Sequence, residues 1–405
     1  MIERSLALVA FLSTTGLGHP WMFGIVVIAG IGVACRGGLT KRARWIVAGL
    51  LCCALVGTWA LIDPGPRGDF AMVRGAGIPL PIACASGVVA SIVAGVRFQR
   101  TFVFLVCIEV LIGFLEATLG VRTLIPGAWE PGTRIGESDL LYLNRVFGLG
   151  PNSSAFAMRV LWAIAVLGLH QREGLIRRRD LLALVLLCSS FAVNLSRAAL
   201  IASALSILIF AWQFGSRFGL ALLALGSGLV AATWDRLWME LNRGLPTPDL
   251  SGRDWLSEEY LAFIAENPVL GNGGVKYYIA ASADGLDHAV YHAHNSYLQV
   301  AATSGIPTLL FLLGSVAIAG AGRVVVVVPL LLYSLLQYGI FWGASLYDQL
   351  FWAMLFGPPS GFVLHVHRQR GGLSASGKPY GLRRAREGSG DGHRRRWLAS
   401  HRHTT

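Results

Sequence analysis

The stretch "YHAHNSYLQVAATSGIPTL", residues 291–309, begins with two histidines and an asparagine and continues without interruption into apolar residues. The apolar part extends to residue 320, so residues 297–320 reach the length of about 20 mostly apolar residues that a membrane-spanning helix needs. The polar start therefore lies where the chain enters a membrane. This juxtaposition predicts a helical membrane protein with imidazole and amide side chains at one membrane face.

The same apolar character recurs along nearly the whole chain. Of the 405 residues, 54% are hydrophobic and 14% are charged, whereas soluble proteins carry about 25% charged residues. Hydropathy therefore predicts an all-α fold, a polytopic membrane bundle of about twelve transmembrane helices. The predicted spans are residues 5–17, 20–35, 45–62, 79–96, 101–120, 152–170, 181–195, 198–213, 218–234, 297–320, 324–344 and 347–366.

The loops between these spans are unequally charged. Most of the 34 lysine and arginine residues lie in the loops on one side and in the C-terminal tail, and the positive-inside rule assigns that side to the cytoplasm. Both termini are then cytoplasmic, and the net charge of +12 is mainly a topology signal. No aromatic-interleaved motif accompanies the basic tail, so no nucleic-acid partner is predicted.

The chain divides into four regions on this topology. Residues 1–233 form an N-terminal transmembrane bundle, and residues 234–296 form a loop on the outer, periplasmic face. Residues 297–366 form the C-terminal transmembrane helices. Residues 367–405 form a basic cytoplasmic tail, which we expect to be disordered and to contact anionic membrane lipid.

A helix is predicted inside the outer loop, over "SGRDWLSEEYLAFIAENP", residues 251–268. Ser251 is suited to cap this helix with Asp254 as its capping-box partner, and Pro268 ends it. The apolar stripe of the helix consists of Trp255, Leu256, Tyr260, Phe263 and Ile264. An amphipathic helix outside a membrane bundle is expected to lie along the membrane interface.

Three polar segments stand out against the apolar background, and the predicted topology places all three at the outer face. They are "NLSRAAL" (194–200), "SGRDW" (251–255) and "HAHNSYL" (292–298). Each is predicted to begin a helix, and a helix N-terminus presents free N–H groups and the positive end of the helix dipole. Such helix starts suit an anionic group, above all a phosphate.

The side chains in these segments have complementary chemistry. Arg197 and Arg253 can each hold two phosphate oxygens with the guanidinium fork, so a lipid-linked diphosphate is the expected ligand in a membrane. An imidazole at His294 can accept a proton from an attacking hydroxyl, or can donate a hydrogen bond to a departing diphosphate. Ser196 and Asn295 are supporting candidates.

Each of these residues also has a purely structural interpretation. An arginine at a membrane edge is commonly an interfacial anchor, and a histidine at a helix start is often a cap. Glu109 and Glu116 share one face of a predicted span, and an intramembrane acid is a functional candidate by default, although water can reach Glu116 if it lies near the outer end. His288, His292 and His294 fit no standard metal-ligand spacing, so no metal site is predicted.

The segment "HNSYLQVAATSGIPT", residues 294–308, resembles the signature of the O-antigen ligase family. That signature is His, then Asn, Ser or Gln, nine residues, Gly, two residues, and Gly, Thr or Tyr. His294, Asn295, Gly305 and Thr308 occupy these positions.

Three further segments resemble looser features of the same family. "SRAAL" (196–200) resembles its Ser–Arg at the outer end of a hairpin of spans, and "PNSSAFAM" (151–158) resembles its Pro–Asn start of a span. "SGRDW…ENPVLGNG" resembles its Gly–Arg helix followed by Pro–Leu–Gly–x–Gly, although Val269 stands between the proline and the leucine here.

The resemblance implies a metal-independent membrane glycosyltransferase that needs no cofactor. Members of the family move a glycan from undecaprenyl diphosphate to an acceptor hydroxyl at the periplasmic face of the bacterial inner (plasma) membrane. Carried over to this sequence, Arg197 and Arg253 hold the donor diphosphate, and His294 acts at the acceptor.

The family includes ligases and polymerases, and the motifs are shared. A ligase uses the lipid A core as its acceptor, whereas a polymerase uses a second lipid-linked glycan and must hold two diphosphates. Two arginines at helix N-termini look like one diphosphate site, which favours a ligase of O-antigen or another surface polysaccharide. A non-enzymatic flippase of lipid-linked oligosaccharides is a third interpretation, and it expects charged residues lining the bundle interior.

Overall fold

The computed structural model of the protein describes residues 2–18, 22–35, 40–62, 71–73, 80–125, 145–150, 152–194, 197–214, 253–272, 276–281, 288–290, 293–320, 323–337, 351–352 and 355–356. All of these residues belong to one compact unit, Met1–Val363. Several predictions fall outside the described residues, namely the span 218–234, most of the span 347–366, the tail 367–405, and the residues Ser196, Ser251 and His292.

Helices dominate the described residues, which confirms the helical class predicted from hydropathy. They are α1 (Ile2–Ser13), α2 (Phe23–Val33), α3 (Lys41–Ile62), α4 (Leu80–Ala90), α5 (Val96–Leu119), α6 (Ser153–Arg172), α7 (Arg178–Ser189), α8 (Phe191–Asn194), α9 (Arg197–Phe214), α10 (Arg253–Glu266), α11 (Ser296–Gly320) and α12 (Val324–Leu336). By length and composition α5, α6 and α11 can each cross a membrane. The topology of about twelve spans and the periplasmic position of the long loop stay predictions.

A small antiparallel sheet accompanies the helices, and the all-α prediction did not include it. Its strands are β1 (Ala71–Val73), β2 (Lys276–Ala281) and β3 (His288–Val290), in the spatial order β1-β2-β3. Met72 pairs with Tyr277, and Ala280 pairs with Ala289. Strands of three to six residues give a weak periodic signal beside long apolar spans. The sheet connects the chain after α3 to the chain between α10 and α11.

Helix α6 lies at the centre of the helical unit. It contacts α5, α7, α9 and α12, and its residues from Phe156 to His170 are all buried. Apolar residues lie on every side of this helix, and a helix that is hydrophobic all round is expected to be buried all round. Trp162 packs edge-to-face on Phe351 with a distance of 5.8 Å between ring centroids. The neighbouring helices therefore pack around α6.

An ion pair lies inside this apolar core. Arg159 on α6 donates from both Nε and Nη2 to the carboxylate of Glu109 on α5, with Nε 2.7 Å from Oε2, and both side chains are fully buried. Arg159 also donates to the carbonyl oxygen of Thr14, and Oε1 of Glu109 accepts the backbone N–H of Leu149 at 3.0 Å. The pair therefore joins α5 and α6 to the segments that follow α1 and precede α6.

Glu116 lies on the same face of α5 and is also buried. Its carboxylate accepts the backbone N–H of Leu124 at 2.9 Å and that of Gly148 at 2.7 Å. The interpretation that water reaches this carboxyl at the end of the helix is therefore wrong. Glu109 and Glu116 both bind backbone groups of residues 145–150, so these two acids hold the segment that leads into α6.

The basic loops that hydropathy assigns to the cytoplasm meet at the C-terminal end of α6. Arg100 donates to the carbonyl oxygen of Leu175 at 2.6 Å, and Arg323 lies 4.0 Å from the carboxylate of Glu173. Burial lowers the pKa of Arg323, while the neighbouring Glu173 acts in the opposite direction. At the other end of α6, its first turn is hydrogen-bonded to Asn194 and, through Gln337, to His294, residues of two of the predicted polar segments.

Candidate active site

His294 directly precedes α11 in a turn that the next residue fixes. Its backbone φ is +48°, a left-handed conformation that few residues other than glycine adopt. The Oδ1 atom of Asn295 accepts the backbone N–H groups of Tyr297 at 2.9 Å and of Leu298 at 3.3 Å, which is the pattern of a helix N-cap. The cap and the left-handed residue before it together set the direction in which the imidazole leaves the chain.

The imidazole of His294 is hydrogen-bonded to the end of α12. Its Nδ1 atom lies 2.8 Å from Oε1 of Gln337, the residue that follows α12 and has an extended backbone. Nε2 of Gln337 donates to the hydroxyl oxygen of Ser154 at 3.2 Å. Tyr333 also reaches Ser154, because its hydroxyl donates to the Ser154 carbonyl oxygen at 3.4 Å. His294 is thereby connected through α12 to the first turn of α6.

The first turn of α6 is itself held by two asparagines. Oδ1 of Asn152 accepts the backbone N–H of Ala155 at 2.9 Å and so caps the helix. The side-chain amide of Asn194, at the end of α8, donates to the carbonyl oxygen of Ser153 at 2.8 Å. Arg197 is the first residue of α9, three positions after Asn194. The start of α6 therefore brings Asn152, the end of α8 and His294 to one end of the bundle.

Helix α10 begins at Arg253, as the sequence predicted within two residues. Four residues of its apolar stripe are buried against residues at and near the start of α11, namely Leu256, Tyr260, Phe263 and Ile264 against Ala293, Ala301 and Ala302. These four side chains are thus covered by protein, and the position of α10 along the membrane interface stays a prediction. Packing on α11 removes this apolar face of α10 from water. It also fixes the position of α10 relative to His294.

A buried tyrosine joins the two helices. The hydroxyl of Tyr260 donates to Oε1 of Gln299 at 3.1 Å, and the same oxygen accepts the backbone N–H of Ala293 at 3.1 Å. Burial raises the pKa of Tyr260, and its hydrogen bond to Gln299 acts in the opposite direction. Because Ala293 immediately precedes His294, this contact holds the histidine turn from the side of α10.

The glycine of the family signature has a steric role. Helix α11 is interrupted at Gly305, whose φ is +82° and ψ is 160°, a region that is essentially restricted to glycine. The backbone N–H of Ile306 donates to the carbonyl oxygen of Pro268 at 2.8 Å, and that of Asn272 donates to Ala302 at 2.8 Å. A Cβ atom on Gly305 would overlap the carbonyl oxygen of Val269. The kink is therefore the place where the segment after α10 docks on α11.

Replacing Gly305 by alanine is expected to lower the free energy of unfolding by at least about 2 kcal/mol, because it adds backbone strain and a clash with Val269. The thermal midpoint of the purified protein in detergent checks this. Gly314→Ala is the matched control, since it lies in the same helix and an added Cβ there meets nothing within 4 Å. Equal midpoints for the two variants would show that the kink does not need glycine.

The structure describes the side-chain contacts of some predicted site residues, and for others it gives only their position at the start of a helix. His294 and Asn295 lie at the end of the bundle that also holds the starts of α6 and α9. Arg197 and Arg253 are each the first residue of a helix. This confirms the predicted helix starts on which the argument about free N–H groups and helix dipoles depends. His288 lies in β3, in a different element from His294.

Two residues of the site were missed by sequence reasoning, Gln337 and Ser154. Gln337 falls inside the predicted span 324–344, and a polar residue within an apolar span is a recognised pointer to function. The position of Gln337 in that span could therefore have identified it as a candidate. Ser154 lies two residues after the capping asparagine of α6, inside the segment "PNSSAFAM", but nothing in that segment distinguishes it from Ser153.

Residues 182–313 match the family model described as O-antigen ligase. The matched region includes Asn194, Arg197, Arg253 and the whole signature from His294 to Thr308. It confirms, over this stretch, the resemblance found in the motifs. A comparison with curated proteins found no match.

Proposed function

Because residues 182–313 match the O-antigen ligase family model, we propose that the protein is a membrane glycosyltransferase that moves a glycan from undecaprenyl diphosphate to an acceptor hydroxyl at the periplasmic face of the bacterial inner membrane. We propose the lipid A core as the acceptor, which makes the protein a ligase. The observation that carries the proposal is the placement of the signature histidine. His294 lies in a fixed turn at the end of the bundle where the other motif segments begin their helices.

The reaction assigned to this site is a single displacement. The acceptor hydroxyl oxygen attacks the anomeric carbon of the donor glycan, and the bond from that carbon to the diphosphate oxygen breaks. Undecaprenyl diphosphate leaves with the electron pair, and the hydroxyl proton passes to the imidazole of His294. The charge that develops is on the leaving diphosphate, so cationic and N–H groups at the donor side stabilise the transition state. No metal or cofactor enters this scheme.

Arg197 and Arg253 are proposed to supply those cationic groups. Each begins a helix, where backbone N–H groups and the helix dipole also favour an anion. A diphosphate has two phosphoryl groups, and two guanidinium forks can hold one each.

Replacing either Arg197 or Arg253 by lysine is expected to reduce transfer roughly 10- to 100-fold, because lysine keeps the charge but loses the two-pronged hydrogen bond. The rate is measured as release of undecaprenyl diphosphate by membrane vesicles of known protein content. Arg42→Lys is the matched control, because Arg42 is exposed at the start of α3 and lies far along the chain from the family region. Near wild-type rates in both lysine variants would contradict the clamp.

The choice between ligase and polymerase is tested by the products that accumulate without the gene. A ligase defect leaves long glycan chains on undecaprenyl diphosphate together with bare lipid A core. If single repeat units accumulate instead, or if one unit still reaches the core, the protein joins one lipid-linked glycan to another and is a polymerase. Loss of surface glycan, with the lipid-linked glycan accumulating on the cytoplasmic side of the membrane, would identify a flippase.

A further inference from the structure

The ring of His294 is held by an amide whose two ends are both engaged. Oε1 of Gln337 lies 2.8 Å from Nδ1 of the imidazole, and Nε2 of Gln337 donates to Oγ of Ser154 at 3.2 Å. The backbone of Gln337 is fixed as well, since its N–H donates to the carbonyl oxygen of Tyr333 at 2.8 Å and its carbonyl oxygen faces the Ser296 hydroxyl at 3.5 Å. The amide therefore has a defined position and a defined orientation.

The orientation of an amide determines the tautomer of the ring beside it. A glutamine side chain has one accepting oxygen and one donating nitrogen. With the oxygen of Gln337 towards Nδ1, that ring nitrogen carries the proton, and Nε2 of His294 carries the lone pair. With the amide reversed, Nδ1 would accept and Nε2 would already hold a proton. The structure has the first arrangement, with the amide nitrogen donating to the hydroxyl oxygen of Ser154.

We propose that Gln337 is a positioning residue which, hydrogen-bonded to Ser154 at its amide nitrogen, keeps His294 in the tautomer whose Nε2 can take the proton of the acceptor hydroxyl. This inference rests on the proposed transferase function. Both residues lie outside the region 182–313 that matches the family, one before it and one after it, so the helices that flank the family region complete its site. A neutral amide also stabilises the imidazolium less than a carboxylate would, which favours return of the proton after each turnover.

The first test compares two substitutions of Gln337 in the full-length protein in membrane vesicles. The donor is the lipid-linked glycan extracted from the deletion strain, the acceptor is the core lipopolysaccharide of that strain, and released undecaprenyl diphosphate is measured from pH 5 to 9. Gln337→Leu removes the acceptor for Nδ1 and is expected to lower kcat roughly 10- to 100-fold with little change in the KM for donor. Gln337→Glu restores the acceptor and is expected to recover most of kcat.

The pH profile of Gln337→Glu separates a positioning role from a packing role. A carboxylate beside Nδ1 stabilises the protonated ring, so the acidic limb of the rate profile is expected to move to higher pH. A residue that merely fills space beside α11 would give no such displacement. This measurement also serves if Gln337→Leu inserts poorly.

The second test asks whether Ser154 acts through the orientation of the amide. Ser154→Ala is expected to lower kcat roughly 3- to 10-fold in the wild-type background, because the amide nitrogen of Gln337 loses its hydrogen-bond partner and the amide is held less firmly in either direction. In the Gln337→Glu background the same substitution is expected to have little effect, since a carboxylate accepts at both oxygens and has no wrong orientation. Such dependence on the partner is what a double-mutant cycle measures.

The outcomes distinguish a failure of the positioning role of Gln337 from a failure of the proposed transferase function. If His294→Ala is inactive while Gln337→Leu and Ser154→Ala keep the wild-type kcat, the positioning role is overturned and the transferase function stands. If Gln337→Glu loses activity without a displaced acidic limb, the positioning role is overturned as well. If His294→Ala remains active, both the proposed function of His294 and this inference fall.

Discussion

Replacing His294 by alanine is expected to lower the rate of glycan transfer by roughly 10²- to 10⁴-fold, the usual contribution of a positioned general base. The substitution removes the imidazole that would take the hydroxyl proton, while the turn and the cap by Asn295 can persist. The rate is measured as undecaprenyl diphosphate released per unit of protein in membrane vesicles. Donor binding is expected to change little, because the diphosphate is assigned to Arg197 and Arg253.

The neighbouring histidines provide the control for this prediction. His288 lies in β3, and neither His288 nor His292 is part of the family signature. His288→Ala and His292→Ala are therefore expected to transfer glycan at close to the wild-type rate. Transfer is also expected to survive chelators, since the reaction is assigned to protein side chains. Loss of activity on chelation that zinc restores, or equal loss in all three histidine variants, would contradict the assignment.

Replacing Arg159 by methionine is expected to lower the free energy of unfolding by roughly 3–5 kcal/mol, because it leaves the carboxylate of Glu109 buried without its counter-ion. Both side chains are fully buried, and Arg159 also binds the carbonyl oxygen of Thr14. The measurement is denaturant unfolding of the purified protein in detergent, followed by tryptophan fluorescence. Transfer activity is expected to fall with the amount of folded protein.

A double variant shows whether the loss comes from the unpaired charge. Adding Glu109→Gln to Arg159→Met removes the stranded carboxylate and keeps an acceptor for the N–H of Leu149, so part of the stability is expected to return. Arg42→Met is the control for the loss of an arginine at an exposed position, where little change is expected. Equal stability of Arg159→Met and Arg42→Met would show that the buried pair contributes nothing.

Local patterns in the sequence predicted those parts of the structure that depend on short stretches of chain. Runs of about 20 apolar residues predicted α5, α6 and α11. Capping chemistry predicted that α10 begins near Arg253, and the apolar run 198–213 predicted that α9 begins near Arg197. The histidine signature includes Gly305, but it did not predict the kink in α11 that a close approach of backbone imposes there. These features follow from the residues within one or two turns of each position.

Contacts between distant segments were not predictable in the same way. Gln337 lies 43 residues from His294 and 183 residues from Ser154, and no periodicity relates positions so far apart. The covering of the α10 stripe by α11 also depends on tertiary packing, because an apolar stripe has the same pattern whether lipid or protein covers it. Glu109 was singled out in the sequence, whereas Arg159, which lies inside the predicted span 152–170, was not. Their pairing depends on how α5 packs against α6.

The buried pair of Glu109 and Arg159 also bears on how the chain is made. A ribosome delivers α5 and α6 before α9, α11 and α12 exist, so α6 would carry a guanidinium into hydrocarbon at a cost of about 2.5–3.5 kcal/mol. Glu109 emerges 50 residues earlier than Arg159, so the charge of Arg159 can be paired with that of Glu109 as α6 enters the membrane. Gln337 emerges after all the other residues connected to His294, so a partly synthesised chain in the translocon lacks the hydrogen bond between Gln337 and His294.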